Sequence, residues 1–141
     1  MYIVESELFE KENRCLEALE IFQQAHADVF GDAKKMWNMN SVISKLGTSV
    51  TQMGLIPTLC YYDRIRSENK ESAYSYVLEL MQKLLVPGDE RAFTRNWLED
   101  ENNRSMIDKE SFLLTNIALK RTFRTYDFMR DGDENLQLRL G

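Results

Sequence analysis

Apolar residues recur at intervals of three and four through most of this chain, the spacing that gathers side chains on one face of an α-helix. Leu8, Cys15, Leu16, Leu19 and Phe22 define one such face and predict a first helix over residues 6–29. The Glu7–Lys11 and Glu10–Arg14 pairs, four residues apart with the acid first, support it. Phe30-Gly31-Asp32 supplies a stop and a cap for the next helix. Met39, Val42, Ile43, Leu46, Val50 and Met53 form a single stripe, predicting a second helix over 33–53. Gly54 ends or kinks it. Pro57, tolerated in a first helical turn, places the next start near Leu55, with a helix running to about Ser67 through Leu59, Tyr62 and Ile65.

Asn69 reads as the cap of the following helix. Its stripe of Tyr74, Val77, Leu78, Met81, Leu84 and Leu85 is the clearest in the protein, with Glu71, Ser75, Glu79 and Gln82 off it. Val86-Pro87-Gly88-Asp89 has turn chemistry, a short helix over roughly 90–99 packs Phe93 and Trp97, and Glu99 to Arg104 reads as a polar loop. Ser105 with Asp108 has the form of a capping box for a last long helix over about 108–130, ended by Asp131-Gly132-Asp133-Glu134. Leu136, Leu138 and Leu140 alternate in a tail, residues 131–141, expected to be docked or disordered. The pattern predicts an all-α fold, a single-domain bundle of five to six helices over residues 1–130.

Composition narrows this picture without changing it. The 141 residues suffice for one hydrophobic core, and 43% hydrophobic with 29% charged residues is the balance of a folded chain rather than a disordered one. Two prolines and six glycines are too few for a turn-rich β-sandwich. The N-terminus lacks a basic start, and no run approaches the roughly 18 apolar residues of a membrane span, so no membrane partner and a cytoplasmic location are expected. Cys15 and Cys60 read as buried small hydrophobes rather than a disulfide.

The net charge of −5 is confined to one place. Residues 1–31 carry seven acids against Lys11 and Arg14, whereas the rest of the chain holds 16 acids and 16 bases. The acidic first helix is either a solvated face or a docking surface. A net acidic chain is no general nucleic-acid binder, yet a neutral body has room for a basic face.

The chemistry-bearing residues are sparse. His26, the sole histidine, lacks the companions that a zinc site requires and has no nucleophile signature near it. Glu99-Asp100-Glu101 and Asp131-Gly132-Asp133-Glu134 do not have the ligand spacing of a calcium loop, and there is no glycine-rich phosphate loop. No enzymatic activity and no cofactor are expected.

The last helix is the best candidate for a functional surface. Leu114, Ala118, Met129, Thr122, Thr115, Tyr126, Leu119, Phe112 and Phe123 share one half, while Lys120, Arg121 and Arg124 fall within an arc of about 100° on the other, flanked by Leu113, Ile117 and Phe128. Cations at that density suit a phosphate backbone, where each neutralised phosphate releases counterions. They equally suit a helix C-terminal half, which favours positive charge. Lys34, Lys35, Lys45, Arg64 and Arg66 would extend the patch if the fold brought them to it. Tyr61, Tyr62, Tyr74 and Tyr76 suit either packing or stacking on bases.

Two stretches carry a family resemblance. Ile43-Ser44-Lys45-Leu46 through Gln52-Met53-Gly54-Leu55, continuing into Thr58-Leu59-Cys60-Tyr61-Tyr62, is similar to the helix, Gly-Leu junction and second helix of the small subunit of type III-B CRISPR (Cmr) effector complexes. Thr115-Asn116-Ile117-Ala118-Leu119-Lys120-Arg121-Thr122-Phe123 resembles that family's C-terminal helix, with Leu119 where an aromatic often precedes the basic pair. The resemblance spans about residues 33–130. It implies a non-catalytic, all-helical subunit stacked beside the guide–target RNA in an assembly with other effector subunits. Lys120, Arg121 and Arg124, joined by Lys45 and Arg64, are then the residues expected at the RNA backbone. The segregation of an acidic first helix from a basic last one suggests copies associating head to tail. A stand-alone helical adaptor or inhibitor, binding a protein through the acidic first helix, is the other reading.

Overall fold

The computed structural model describes the backbone of residues 5–140 and the side chains of residues 5–125. Among these are eight helices and no strand: α1 (Glu5–Ala25), α2 (Ala27–Phe30), α3 (Ala33–Met53), α4 (Leu55–Glu68), α5 (Ala73–Leu85), α6 (Arg95–Glu99), α7 (Glu101–Arg104) and α8 (Lys109–Leu140). The all-α class agrees with the periodicity. The number of helices exceeds five to six because α2 separates from the first predicted helix and because α7, a four-residue turn capped by Asp100, forms within Glu99 to Arg104, which reads as a polar loop in the sequence. Both are too short to leave a periodic signature.

The α5 helix occupies the middle, packed against α1, α3, α4 and α8. Contact from several sides explains why Ser75, Tyr76, Val77, Leu78, Leu80 and Met81 are all buried, more of the circumference than one stripe covers. Ser75, off the stripe in the sequence pattern, is buried at the first turn, where its N–H donates to the Ser72 hydroxyl. Phe22, Phe30, Phe93, Phe112 and Phe123 are fully enclosed in the core, each contributing about 1.5–3 kcal/mol by burial.

Several boundaries are set by contacts distant in sequence. The first predicted helix is broken at His26, whose Nε2 lies 3.0 and 3.2 Å from the two carboxylate oxygens of Glu79 on α5. Its ring packs against Phe22 and Tyr76. Holding that imidazole on α5 turns the backbone out of helical geometry, to φ −132° and ψ 54°, before α2 resumes. Asp32 caps α3 as expected, accepting from Lys34 and Lys35 N–H. Gly54 joins α3 to α4 at φ 97°, a conformation that L side chains rarely adopt, and its carbonyl accepts from the Thr58 hydroxyl at 2.8 Å. Asn69 only forms a local turn to Glu71 N–H, and Ser72 is the cap of α5.

The helix expected from residue 90 begins instead at Arg95, capped by Thr94. Phe93 takes φ 69° so that its buried ring meets Trp97 and Phe112 edge-on, and this left-handed residue interrupts any helix through it. Ser105 forms no capping box, its hydroxyl donating to the Asn102 carbonyl, while Asp108 caps α8 through Ser111 N–H at 3.0 Å. The expected end of α8 at Asp131–Glu134 is also revised, since the helix runs on to Leu140. A glycine inside a helix costs only about 1 kcal/mol, so Gly132 is a weak stop. Tyr126, Phe128, Met129, Leu136, Leu138 and Leu140 lie outside the residues whose side chains are described.

Asp63 ties α4 to α6. One carboxylate oxygen accepts from Arg66 at 2.7 and 3.1 Å, and the other from the Arg95 N–H at the start of α6. Cys15 is buried as expected, but Cys60 is exposed, because α4 turns it away from the Leu59–Tyr62–Asp63 side that meets the core. Among the described residues no helix is long and apolar enough to cross a membrane.

Candidate nucleic-acid interface

The α8 helix lies between α1 and α3, with α5 beneath it. Phe112, Leu114, Thr115, Asn116, Ala118, Leu119, Thr122 and Phe123 turn inward, leaving Arg121 and Arg124 exposed and Lys120 half-buried beside Leu113 and Ile117. The cationic arc expected from the sequence is therefore outside. The seam with α3 is closed by Asn116, whose Nδ2 donates to the Ile43 carbonyl at 3.1 Å, and Gly47 sits under it. One turn and two turns further along α8, Lys120 and Arg124 lie on the α3 side.

The cations have different surroundings. The Arg124 guanidinium donates to the Ser44 hydroxyl on α3 at 3.4 Å. The Arg121 guanidinium pairs with Glu12 of α1 at 3.2 Å, with the arginine side chain 60% exposed and the glutamate 23%. Lys11, also on α1, reaches the Thr115 hydroxyl at 3.5 Å. The acidic first helix thus packs alongside the basic last one. Charge is divided between neighbouring helices, not between distant ends of the body, and one of the three cations is already met by an acid of its own chain.

Lys45 is exposed on α3, but at about 100° per residue it points about 160° around the helix from Ile43 and Gly47, which meet Asn116, so it faces away from the seam. Arg64 is exposed on α4 with its guanidinium 5.5 Å from the Tyr61 ring centroid. α4 packs on α3, α5 and α6, which puts α3 between Arg64 and the α8 cations. Lys35 pairs with Asp28 at 3.1 Å, and that contact holds the Asp28 carboxyl below its usual range. Arg66 is taken up by Asp63. Lys120, Arg121 and Arg124 form one region; Lys45 and Arg64 both lie away from it. Tyr62, Tyr74 and Tyr61 pack edge-on against one another, and Tyr76 packs on Phe22 and His26, so none of the four presents a free ring face as its main contact.

Trp37 is a surface feature that the sequence pattern did not single out. It is 69% exposed on the outer face of α3, opposite Met36, Met39, Val42, Ile43, Leu46 and Val50. The available signal was its place outside that stripe. Residues 33–53 and 111–125, the two strips that meet at the seam, contain six bases and no acid, in a chain of net charge −5. Among the described residues no group of three or more His, Cys, Asp or Glu is placed to hold a metal ion. A cleft of about 350 Å³ between α1 and the start of α8 is lined by Glu7, Glu10, Lys11, Arg14, Asp108 and Glu110, a mixed-charge surface.

No protein-family model, curated protein or solved structure matches the chain.

Proposed function

We propose that this chain is a non-catalytic scaffold subunit of a cytoplasmic type III-B CRISPR RNA-guided effector complex, stacking beside the guide–target RNA and contacting its backbone. The observation that carries this reading is the acid-free seam of α3 and α8, with Arg121 and Arg124 exposed and Lys120 half-buried. Both stretches that resemble the family fall on it or next to it, at the Gly54 junction and on α8. Lys120 and Arg124 are the backbone-positioning residues at the seam, and Lys45, on another face of α3, meets the backbone separately. Arg121 contributes after exchanging Glu12 for phosphate, and Arg64 serves a separate contact. Copies associate head to tail, with register set by shape together with the exposed acids of α1, because Glu12 is already engaged within its own chain.

The test is the change of Lys120, Arg121 and Arg124 together to Glu. RNA retention by the assembled complex should weaken, and the log–log salt slope should flatten by about 2 to 3, since each phosphate contact contributes about 0.7 on a single strand and about 0.9 on a duplex. Unchanged retention and slope would remove the proposal. An adaptor reading is favoured by the exposure of Phe9 and Ile21 among the acids of α1. Co-purification separates the two: a large ribonucleoprotein supports the scaffold, and a single protein held through α1 supports the adaptor.

A further inference from the structure

An indole left in water forgoes one of the largest burial contributions a side chain offers. Trp37 does so on a helix whose opposite face supplies a full stripe to the core, and it is accompanied by cations. At about 100° per residue, Lys34 and Lys45 lie within about 80° of Trp37 around α3, and Ser44 lies within about 20° of it. Ser44 is seven residues on, two turns or about 10 Å along the axis. Arg124 reaches that same Ser44 from α8, so its guanidinium lies at the edge of the face that carries the indole. Among the described residues, the acids that precede α3 are engaged, Asp28 by Lys35 and Asp32 as the cap of α3. An aromatic face ringed by cations, without a competing carboxylate on its own helix, complements a ligand that joins a flat ring to phosphates.

We infer that Trp37 is a base-stacking residue, and that the outer face of α3 binds an unpaired RNA base while Lys34, Lys45 and Arg124 hold the phosphates beside it. This rests on the RNA-contacting role proposed above and specifies it: the nucleic acid at this face is single-stranded. A duplex hides its ring faces in the stack and gives Trp37 nothing to lie on.

The experiment uses the full chain with an oligouridylate, a duplex RNA of equal length and a polyglutamate peptide. Binding is monitored by anisotropy of labelled ligand and by intrinsic fluorescence. Trp37 and Trp97 are the only tryptophans, and Trp97 is 6% exposed with its Nε1 on Asp89, so quenching by a stacked base reports Trp37. Trp37→Ala should weaken oligouridylate binding by about 5- to 150-fold, the contribution of one stacked base, without changing the salt slope. Trp37→Tyr should restore most of it, duplex affinity should not move, and the peptide should not quench. Lys34→Gln with Lys45→Gln should instead flatten the slope. Oligouridylate binding that is indifferent to Trp37→Ala but lost on changing the α8 cations would overturn the stacking role and leave the backbone role standing. Equal losses for RNA and peptide would assign Trp37 to an acidic protein partner. If neither RNA binds the full chain or its assembled complex, both proposals fall.

Discussion

The seam that presents the α8 cations depends on a glycine, and changing it sets two effects against each other. Gly47 lies inside α3, where replacing glycine by alanine ordinarily stabilises a helix by about 1 kcal/mol. A Cβ at this position would stand 2.9 Å from Asn116 Oδ1 and 3.9 Å from Leu113 Cδ2. Asn116 is 4% exposed and its amide is held on the Ile43 carbonyl, so it yields only by giving up that hydrogen bond or by pushing α8 outward. Overpacking of this kind costs about 1–3 kcal/mol and the lost bond about 1 more. Gly47→Ala is therefore expected to destabilise by about 1–3 kcal/mol net. With an unfolding entropy of about 2.1 cal/mol/K per residue, each kcal/mol moves the midpoint by roughly 3 °C, so the melt should fall by about 3–9 °C. Thermal unfolding monitored by far-UV circular dichroism measures it. Asn116→Ala removes the obstruction, so the double variant should be at least about 1 kcal/mol more stable than the two single losses summed. A rise in midpoint for Gly47→Ala, or strict additivity in the cycle, would refute the packing argument.

Four further outcomes are expected. Asp63→Ala leaves the half-buried Arg66 without its partner and α6 without its anchor, which should cost about 3–5 kcal/mol in denaturant unfolding, against under about 1 kcal/mol for the exposed Arg95–Glu99 pair. In the native protein a thiol reagent should modify Cys60 alone, with Cys15 reacting only on unfolding, because burial raises the Cys15 thiol from 9.0 to about 11. The raised value means that the folded state holds the proton more tightly; this contribution is complete below pH 9 and is lost as pH rises toward about 11, so stability should decline across that window, more so than in Cys15→Ala. Glu12→Gln releases Arg121 from a pair exposed on the arginine side only, and should change stability by about 1 kcal/mol or less while steepening the salt dependence of RNA binding by up to about 0.7.

The long helices are legible because each presents one stripe to one core. The span of α3 can be read from five apolar positions that the core does bury, Met39, Val42, Ile43, Leu46 and Val50, and two terminators, Asp32 and Gly54. Met53, on the same stripe in the sequence, is exposed, and Met36 is buried at the other end. The roles of the two terminators are local: a side chain accepting from the next turn and a backbone at positive φ. The start of α4 is legible for the same reason. The break at His26 and the delayed start of α6 leave no such trace, since they depend on Glu79 lying 53 residues away and on Phe93 meeting Phe112. At the candidate site the cationic arc of α8 is visible as a pattern. Its neighbours are not.

What the sequence determined by itself was therefore the helical class, most long-helix boundaries and the outward direction of Lys120, Arg121 and Arg124, because helix periodicity and capping are short-range effects. Only the tertiary structure decided that α1 lies against α8, so that Glu12 meets Arg121, and that α3 brings Ser44 to Arg124 while Trp37 stays exposed on its outer face and Lys45 and Arg64 lie apart. Which faces become neighbours depends on how stripes far apart in the chain pack together, and spacing along one helix carries no record of it.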